Sequence, residues 1–352
     1  MTTGRKILLL ESDLASSFPL SAGLRRTGWV VISAQDDERA VQIIRKHRPD
    51  AVLLNSRFAG GRGIATLQRL RSSPATTLTP VLCIAADGSA EREALLQSGA
   101  HEIIVPPPDP TAIDTALRRH LGRPPRMAMV PAPVLQDPAR VKAVHESGLL
   151  DRPQDESLDR VTRLAARLLR TPIARLSVVD GERQVFPSQI DAASPQPVLE
   201  TPLSHSICQW VVGSREELIV SDTGDDPVLQ MNLAVTEDGV GAYAGVPFTM
   251  DDREILGSLC VVDPLPHPWS KLDVATLRDL GQVMRAIAEA RRENGDADAR
   301  LRSAASGLIA AVNILLRLPP AFDSERRDLS HIIDELSGTI TGRERAPAVR
   351  TM

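Results

Sequence analysis

Five short apolar runs punctuate the first third of the chain: "KILLL" (6–10), "WVVIS" (29–33), "AVLLN" (51–55), "PVLCIAA" (80–86) and "EIIV" (102–105). Between them lie stretches such as "DDERAVQIIRKH" and "EREALLQSGA", whose apolar residues recur every three or four positions. Runs without polar alternation predict strands buried on both faces, and the intervening spacing predicts helices. Five such strands alternating with helices within about 120 residues predict a doubly wound parallel sheet. Sites in such sheets lie beyond the carboxyl ends of the strands, and those ends carry Glu11 and Ser12, Asn55, and Ala85.

The pattern then stops. Residues 123–138, "RPPRMAMVPAPVLQDP", hold five prolines, too many for a helix or a central strand, and predict a linker. Beyond it "PARVKAVHESG" and "ESLDRVTRLAARLLRTP" read as helices, followed by strand-like "IARLSVVD", "RQVFP", "LIVSD", "AYAGVPFT" and "ILGSLCVVD" with a helix, "SHSICQWVVGS", among them. This order predicts an antiparallel sheet with helices on one face, an α+β unit.

From residue 272 the spacing becomes heptad-like. Leu277, Leu280, Met284 and Ile287 alternate by three and four, and the phase resumes at Leu301, Ala305, Leu308, Val312 and Leu315 after Arg291, Asn294 and Asp298. A seam that keeps register across a polar interruption predicts one long dimer helix, broken locally at most by Gly295. Pro319 and Pro320 end it, and "SERRDLSHIIDELSGTI" predicts a second amphipathic helix, so that two chains would build a four-helix bundle.

Composition narrows the class. With 352 residues and 42% hydrophobic content the chain has material for more than one domain. No apolar stretch reaches the roughly 20 residues of a membrane helix, and "MTTGRKILLLESD" has too short an apolar core for a secretory signal, so the expected location is cytoplasmic. Cys83, Cys208 and Cys260 are far apart with no CxxC pair, which predicts neither a disulfide framework nor a zinc site. The net charge of −4, from 41 basic and 45 acidic residues without a long block of one sign, gives no footprint for nucleic acid.

The motifs "ILLLESD", "PDAVLLNSRFAGGRG", "PVLCIAA" and "SGAHEIIVPPPDP" make residues 5–121 resemble the receiver domain of two-component response regulators, a flavodoxin-like fold. The resemblance implies a phosphoacceptor aspartate at the end of the third strand, an acid pair for Mg²⁺, a hydroxyl and a lysine. Asn55 stands at the aspartate position, Glu11 with Ser12 at the acid pair, Ala85 at the hydroxyl and Pro106 at the lysine. An amide is a far weaker nucleophile than a carboxylate, and one carboxylate holds Mg²⁺ poorly. The expectation for residues 1–122 is a pseudo-receiver that keeps the fold without phosphorylation.

Residues 139–290 resemble a GAF domain through "GLLDRPQDESLDRVTRLAARLLRTPIARLSVVDGERQVF", "SHSICQW", "LIVSD", "AYAGVPF" and "GSLCVVD", in that order. The resemblance implies binding of a small molecule, or dimerisation without one, and it names no cofactor. A pocket between sheet and "SHSICQW" helix would draw on His205, Cys208, Trp210, Tyr243 and Cys260. Gly241 and Ala242 stand where many relatives carry an Arg and an aromatic. His205 has no second His at ligand spacing, so no metal site is expected. Free cysteines are most often small buried hydrophobes, and that reading is favoured over chromophore anchors or redox switches.

Residues 291–345 resemble, more distantly, the dimerisation hairpin of histidine kinases, but "LRSAASGLIAAV" has no phosphoacceptor His. The expected function is a non-catalytic signalling or scaffold protein that works as a homodimer and contacts a histidine kinase or response regulator. Its dimer interface would run through Leu277, Leu280, Met284, Ile287, Leu301, Leu308, Val312 and Leu315. Three alternatives stand beside it: a phosphorelay component modified at Ser12, Ser56 or His331, an RNA-binding antiterminator, and a self-assembling structural protein.

Overall fold

The computed structural model describes residues 5–85, 89–121, 129–150, 155–192, 198–250, 253–290, 297–319 and 321–341. The chain divides into two compact units, residues 1–134 and 135–352. Arg291, Asn294 and Gly295 lie outside the described residues, as does the side chain of Asp298.

The first unit runs β1 (Lys6–Leu10), α1 (Leu14–Arg26), β2 (Val30–Ala34), α2 (Asp37–His47), β3 (Ala51–Asn55), α3 (Gly63–Arg71), β4 (Val81–Ile84), α4 (Ser89–Gln97), β5 (Glu102–Ile104) and α5 (Pro110–His120). Its five strands lie in the order β2-β1-β3-β4-β5, and every pairing is parallel. The central strands are apolar except at their ends, Lys6 of β1 and Asn55 of β3, because both faces are covered. Ile7, Leu9, Leu53 and Leu82 face Leu20 and Leu24 of α1 and Ile113 and Leu117 of α5. Leu8, Val52, Leu54 and Cys83 face Ala40 and Ile44 of α2, Leu67 and Leu70 of α3, and Leu95 of α4.

The second unit begins with α6 (Pro138–Glu146) and α7 (Glu156–Leu169). It continues through β6 (Ile173–Val179), β7 (Arg183–Asp191), β8 (Glu200–Pro202), α8 (Cys208–Ser214), β9 (Leu218–Val220), β10 (Ala242–Met250) and β11 (Glu254–Asp263). Three longer helices follow, α9 (Lys271–Ala290), α10 (Ala297–Arg317) and α11 (Asp323–Thr341). The antiparallel sheet has the order β8-β7-β6-β11-β10-β9. Period-two alternation sorts its side chains: Leu176, Val178, Ala244, Val246, Phe248, Leu259 and Val261 join one core with α7 and α9. Helices cover both faces rather than one, since α8 packs on the opposite side, against β11, β10 and β6.

The tail corrects the expected dimer seam. Leu277, Leu280, Met284 and Ile287 are wholly buried, and their partners belong to their own chain. Helices α9 and α10 form an antiparallel pair, with Ala286 beside Gly307 at one end and Asp279 ion-paired to Arg317 at the other. A single continuous helix is therefore not what forms. The face of α10 turned inward carries small residues, Ala304, Gly307 and Ala311, which let the helix axes approach; a Cβ on Gly307 would lie 2.4 Å from Ala286 Cβ. Leu308 and Leu315 are only partly buried at its flank, while Leu301 and Val312 are exposed. Leu329, Ile332 and Leu336 of α11 close the cluster, and Ser157 of α7 donates to Glu335 at 2.9 Å. The four-helix grouping of α7, α9, α10 and α11 thus arises within one chain.

Candidate functional site

At the carboxyl edge of the parallel sheet, Glu11 follows β1 and is 5% exposed. Asn55 ends β3 and donates from Nδ2 to Glu11 Oε2 at 2.5 Å, while its Oδ1 accepts from the Arg57 backbone N–H at 2.9 Å. The amide orientation is dictated by these partners, because a flipped Asn55 would set oxygen against carboxylate and N–H against N–H. Glu11 Oε1 accepts from the Asp13 backbone N–H at 2.9 Å. Ser12 Oγ accepts from the Ala59 N–H at 2.9 Å and donates to the Gln35 carbonyl at 3.0 Å, which ties the loop after β3 to the loops after β1 and β2. Ala59 holds φ 51°, an uncommon value for a non-glycine residue. Ala85 is buried, and Pro106 precedes a cis peptide bond to Pro107. Four of the five residues named from sequence, Glu11, Ser12, Asn55 and Ala85, sit at or next to the carboxyl ends of β1, β3 and β4, and Pro106 follows β5.

In the second unit the face opposite the apolar core carries Arg175 and Ser177 of β6, Tyr243 and Gly245 of β10, and Ser258 and Cys260 of β11, with Cys208 at the start of α8. Cys208 and Cys260, both buried, share an S–H···S contact of 3.7 Å. The Tyr243 hydroxyl donates to Cys208 Sγ at 3.3 Å and lies 3.3 Å from Ser258 Oγ. A side chain at Gly245 would meet that hydroxyl at 2.3 Å, so the glycine makes the space the phenol occupies. Gln184 of β7 accepts from Ser177 Oγ at 3.2 Å and from Ser206 Oγ at 2.7 Å, and its amide donates to Thr201 Oγ1 at 2.7 Å.

The two thiols differ. The hydrogen bonds with Cys260 and from Tyr243, with the nearby positive charge of Arg175, draw Cys208 below the usual thiol range against the opposing effect of burial. Cys260 is pushed well above that range by its bond to Cys208 and by burial, so the pair loses its first proton easily and its second with difficulty. Burial also raises the Tyr243 hydroxyl well above its ordinary value, which keeps it a donor.

Of the residues named from sequence, the structure joins Cys208, Tyr243 and Cys260. His205 instead lies beside Ser204 Oγ at 3.1 Å and Glu237 Oε2 at 3.2 Å. Trp210 is fully buried, and its Nε1 has no hydrogen-bond partner among the described residues. Ser177, Gln184, Ser206, Ser258 and Arg175 escaped the sequence reading. For Arg175, Ser177 and Ser258 the signal was a small or polar residue at every second position of otherwise apolar strands, "ARLS" and "GSLC". Among the described residues no group of three His, Cys, Asp or Glu side chains is placed to hold a metal ion.

Family models match this chain twice: the response regulator receiver domain over residues 7–118 and the GAF domain over residues 154–287. The chain joins a receiver domain to a GAF domain. Among curated relatives, the cyclic di-GMP phosphodiesterase PA2567 of Pseudomonas aeruginosa is 32% identical over 162 residues, 46% of this chain and 27% of that protein. The transcriptional regulatory protein AfsQ1 of Streptomyces coelicolor is 29% identical over 33% of this chain and 51% of its own length. The chain thus spans about half or less of these relatives. Among solved structures, a putative response regulator from Chloroflexus aurantiacus is 27% identical, covers 34% of this chain and all of its own, and has a TM-score of 0.33. The domain pair places the protein among bacterial two-component relatives and in signal transduction. No helix among the described residues is long and apolar enough to cross a membrane.

Proposed function

We propose that this protein is a non-catalytic, cytoplasmic signalling component whose receiver unit is held in one state and whose output is made by contact with a histidine kinase or response regulator. The observation that carries the reading is the Asn55 amide, which satisfies Glu11 with a donor and a backbone N–H with an acceptor. A carboxylate in the same place would repel Glu11 unless a cation or a proton stood between them. Ser12 supports the reading as well, since its hydroxyl occupies both its donor and acceptor roles within the fold. The test is incubation of the purified chain with a small phosphodonor and Mg²⁺, followed by intact mass measurement. No added phosphoryl group is expected, and a stable adduct in the receiver unit overturns the reading.

The protein acts as a homodimer in this proposal, through the exposed flank of α10, which keeps Leu301, Ala305 and Val312 of the expected seam and replaces Leu308 and Leu315 with Ile309 and Leu316. Leu301, Ile309, Val312 and Leu316 are exposed large apolar side chains on α10, and with Ala305 they follow a 4-4-3-4 spacing along one stripe. That stripe fits the same face of a second copy, helix against helix.

A further inference from the structure

The GAF unit holds two cysteines that the signalling reading does not use. They lie 52 residues apart in sequence, on different elements, yet their sulfurs are 3.7 Å apart and both are buried. The surroundings are polar where an apolar filler would need none: a tyrosine hydroxyl donates to one sulfur, and Ser258 and Ser177 line the same sheet face. Two thiols used only as packing would gain nothing from a buried phenolic donor, whose own desolvation is a cost.

We infer that Cys208 and Cys260 form a redox pair, converted by a small hydroperoxide from dithiol to disulfide. The Cys208 thiolate attacks the distal peroxide oxygen, the O–O bond breaks, and the alcohol or water leaves with the proton Cys208 gave up. Cys260 sulfur then attacks the resulting sulfenic acid, the S–S bond forms as the S–O bond breaks, and water departs with the Cys260 proton. Two thiols give two electrons and two protons to one hydroperoxide, so the step balances. Tyr243 is a positioning residue here: its hydroxyl holds Cys208 toward Cys260 and steadies the thiolate. Burial selects the oxidant class, because a bulky disulfide such as oxidised glutathione has no approach to sulfurs in residues only 4% and 2% exposed. Closing the pair takes the sulfurs from 3.7 Å to about 2.05 Å, which draws the first turn of α8 toward β11.

The experiment uses the full reduced chain and hydrogen peroxide at a small molar excess. Remaining thiols are trapped after acid quench and unfolding, and the tryptic peptides are mapped. Expected are loss of two of the three thiols, a peptide linking residues 208 and 260, and recovery with dithiothreitol. Cys83 is an internal control, since burial pushes its thiol up to about 12 and it belongs to the first compact unit, whereas Cys208 and Cys260 belong to the second. The rate rises with pH, and Tyr243→Phe slows it about tenfold, the loss of one hydrogen bond to an ionised group. Survival of all three thiols in the native chain under conditions that oxidise the unfolded chain overturns the inference, as does a bridge that uses Cys83. Peptide mapping needs no variant, so poor folding of Tyr243→Phe would leave the decision intact.

Discussion

Asn55 and aspartate differ by one terminal group, and that group decides the electrostatics of the receiver edge. Asn55→Asp puts two carboxylates in contact where a donor stood 2.5 Å from Glu11. The variant loses about 1–3 kcal/mol at neutral pH, the cost of an unsatisfied buried charge contact. The loss shrinks as pH falls, when one proton is shared between the acids, and Mg²⁺ restores part of it; thermal denaturation at pH 7 and pH 5 with and without the ion checks both. His101 gives a second acid dependence. Its Nδ1 accepts from the Val81 N–H at 3.1 Å and lies 3.0 Å from Arg71 Nη2, although the residue as a whole is exposed. Burial first, then the Arg71 charge, lowers it to about 4. The unfolded chain takes up its proton near pH 6.5 and the folded one does not, so stability present above that pH is lost as pH falls toward about 4. His101→Gln keeps an acceptor and should flatten the melting-temperature profile between those pH values. Gly245→Ala should cost about 1–3 kcal/mol because the new methyl meets the Tyr243 hydroxyl and its ring carbon Cζ, and clearly less in a Tyr243→Leu background, which removes both; chemical denaturation of the four proteins closes the cycle. The positions of Glu11, Ser12, Asn55 and Ala85 at the carboxyl ends of β1, β3 and β4 were legible because those residues follow apolar strand runs. The serines around Cys208 were not, since a small polar residue in a strand carries no mark of which face it takes until the register is known.

The elements themselves followed from periodicity. Continuous apolar runs gave β1, β3 and β4, and the alternation in "AYAGVPFT" and "ILGSLCVVD" gave β10 and β11. The tail misled because large side chains were weighted as core. In α10 the close contact is made by Ala304, Gly307 and Ala311, and the leucines of the presumed seam lie beside or outside it. Heptad spacing reports a stripe without saying which of two neighbouring stripes is covered. Gly307→Val should therefore lower stability by about 2 kcal/mol or more by prising α10 from α9, whereas the same change at exposed Ser306 should move it little. Urea titration of the two variants distinguishes a tight helix contact from a solvated one.

The division into two compact units, with the tail helices built into the second, predicts two unfolding transitions rather than three. Disruption of α10 should move the second and leave the first in place. Association is read separately: Ile309→Glu with Leu316→Glu should shift the protein to monomer in light scattering at unchanged melting temperature, because both side chains are exposed in the single chain. Retention of the dimer after that pair of changes would remove the proposed face. The sequence named Leu301 and Val312 of this surface but not Ile309 and Leu316, since its apolar stripe and the buried one are separated by a single residue step on the same helix.

The amide clasp on Glu11 carries a consequence for how the protein is switched. On the proposed reading, a receiver whose acid is already hydrogen-bonded within its own chain offers a metal or a phosphodonor little purchase, and added phosphorylated kinase should leave it unmoved. The proposal then requires that any variable the protein reports enter through the GAF unit, with the receiver edge serving as a fixed fitting.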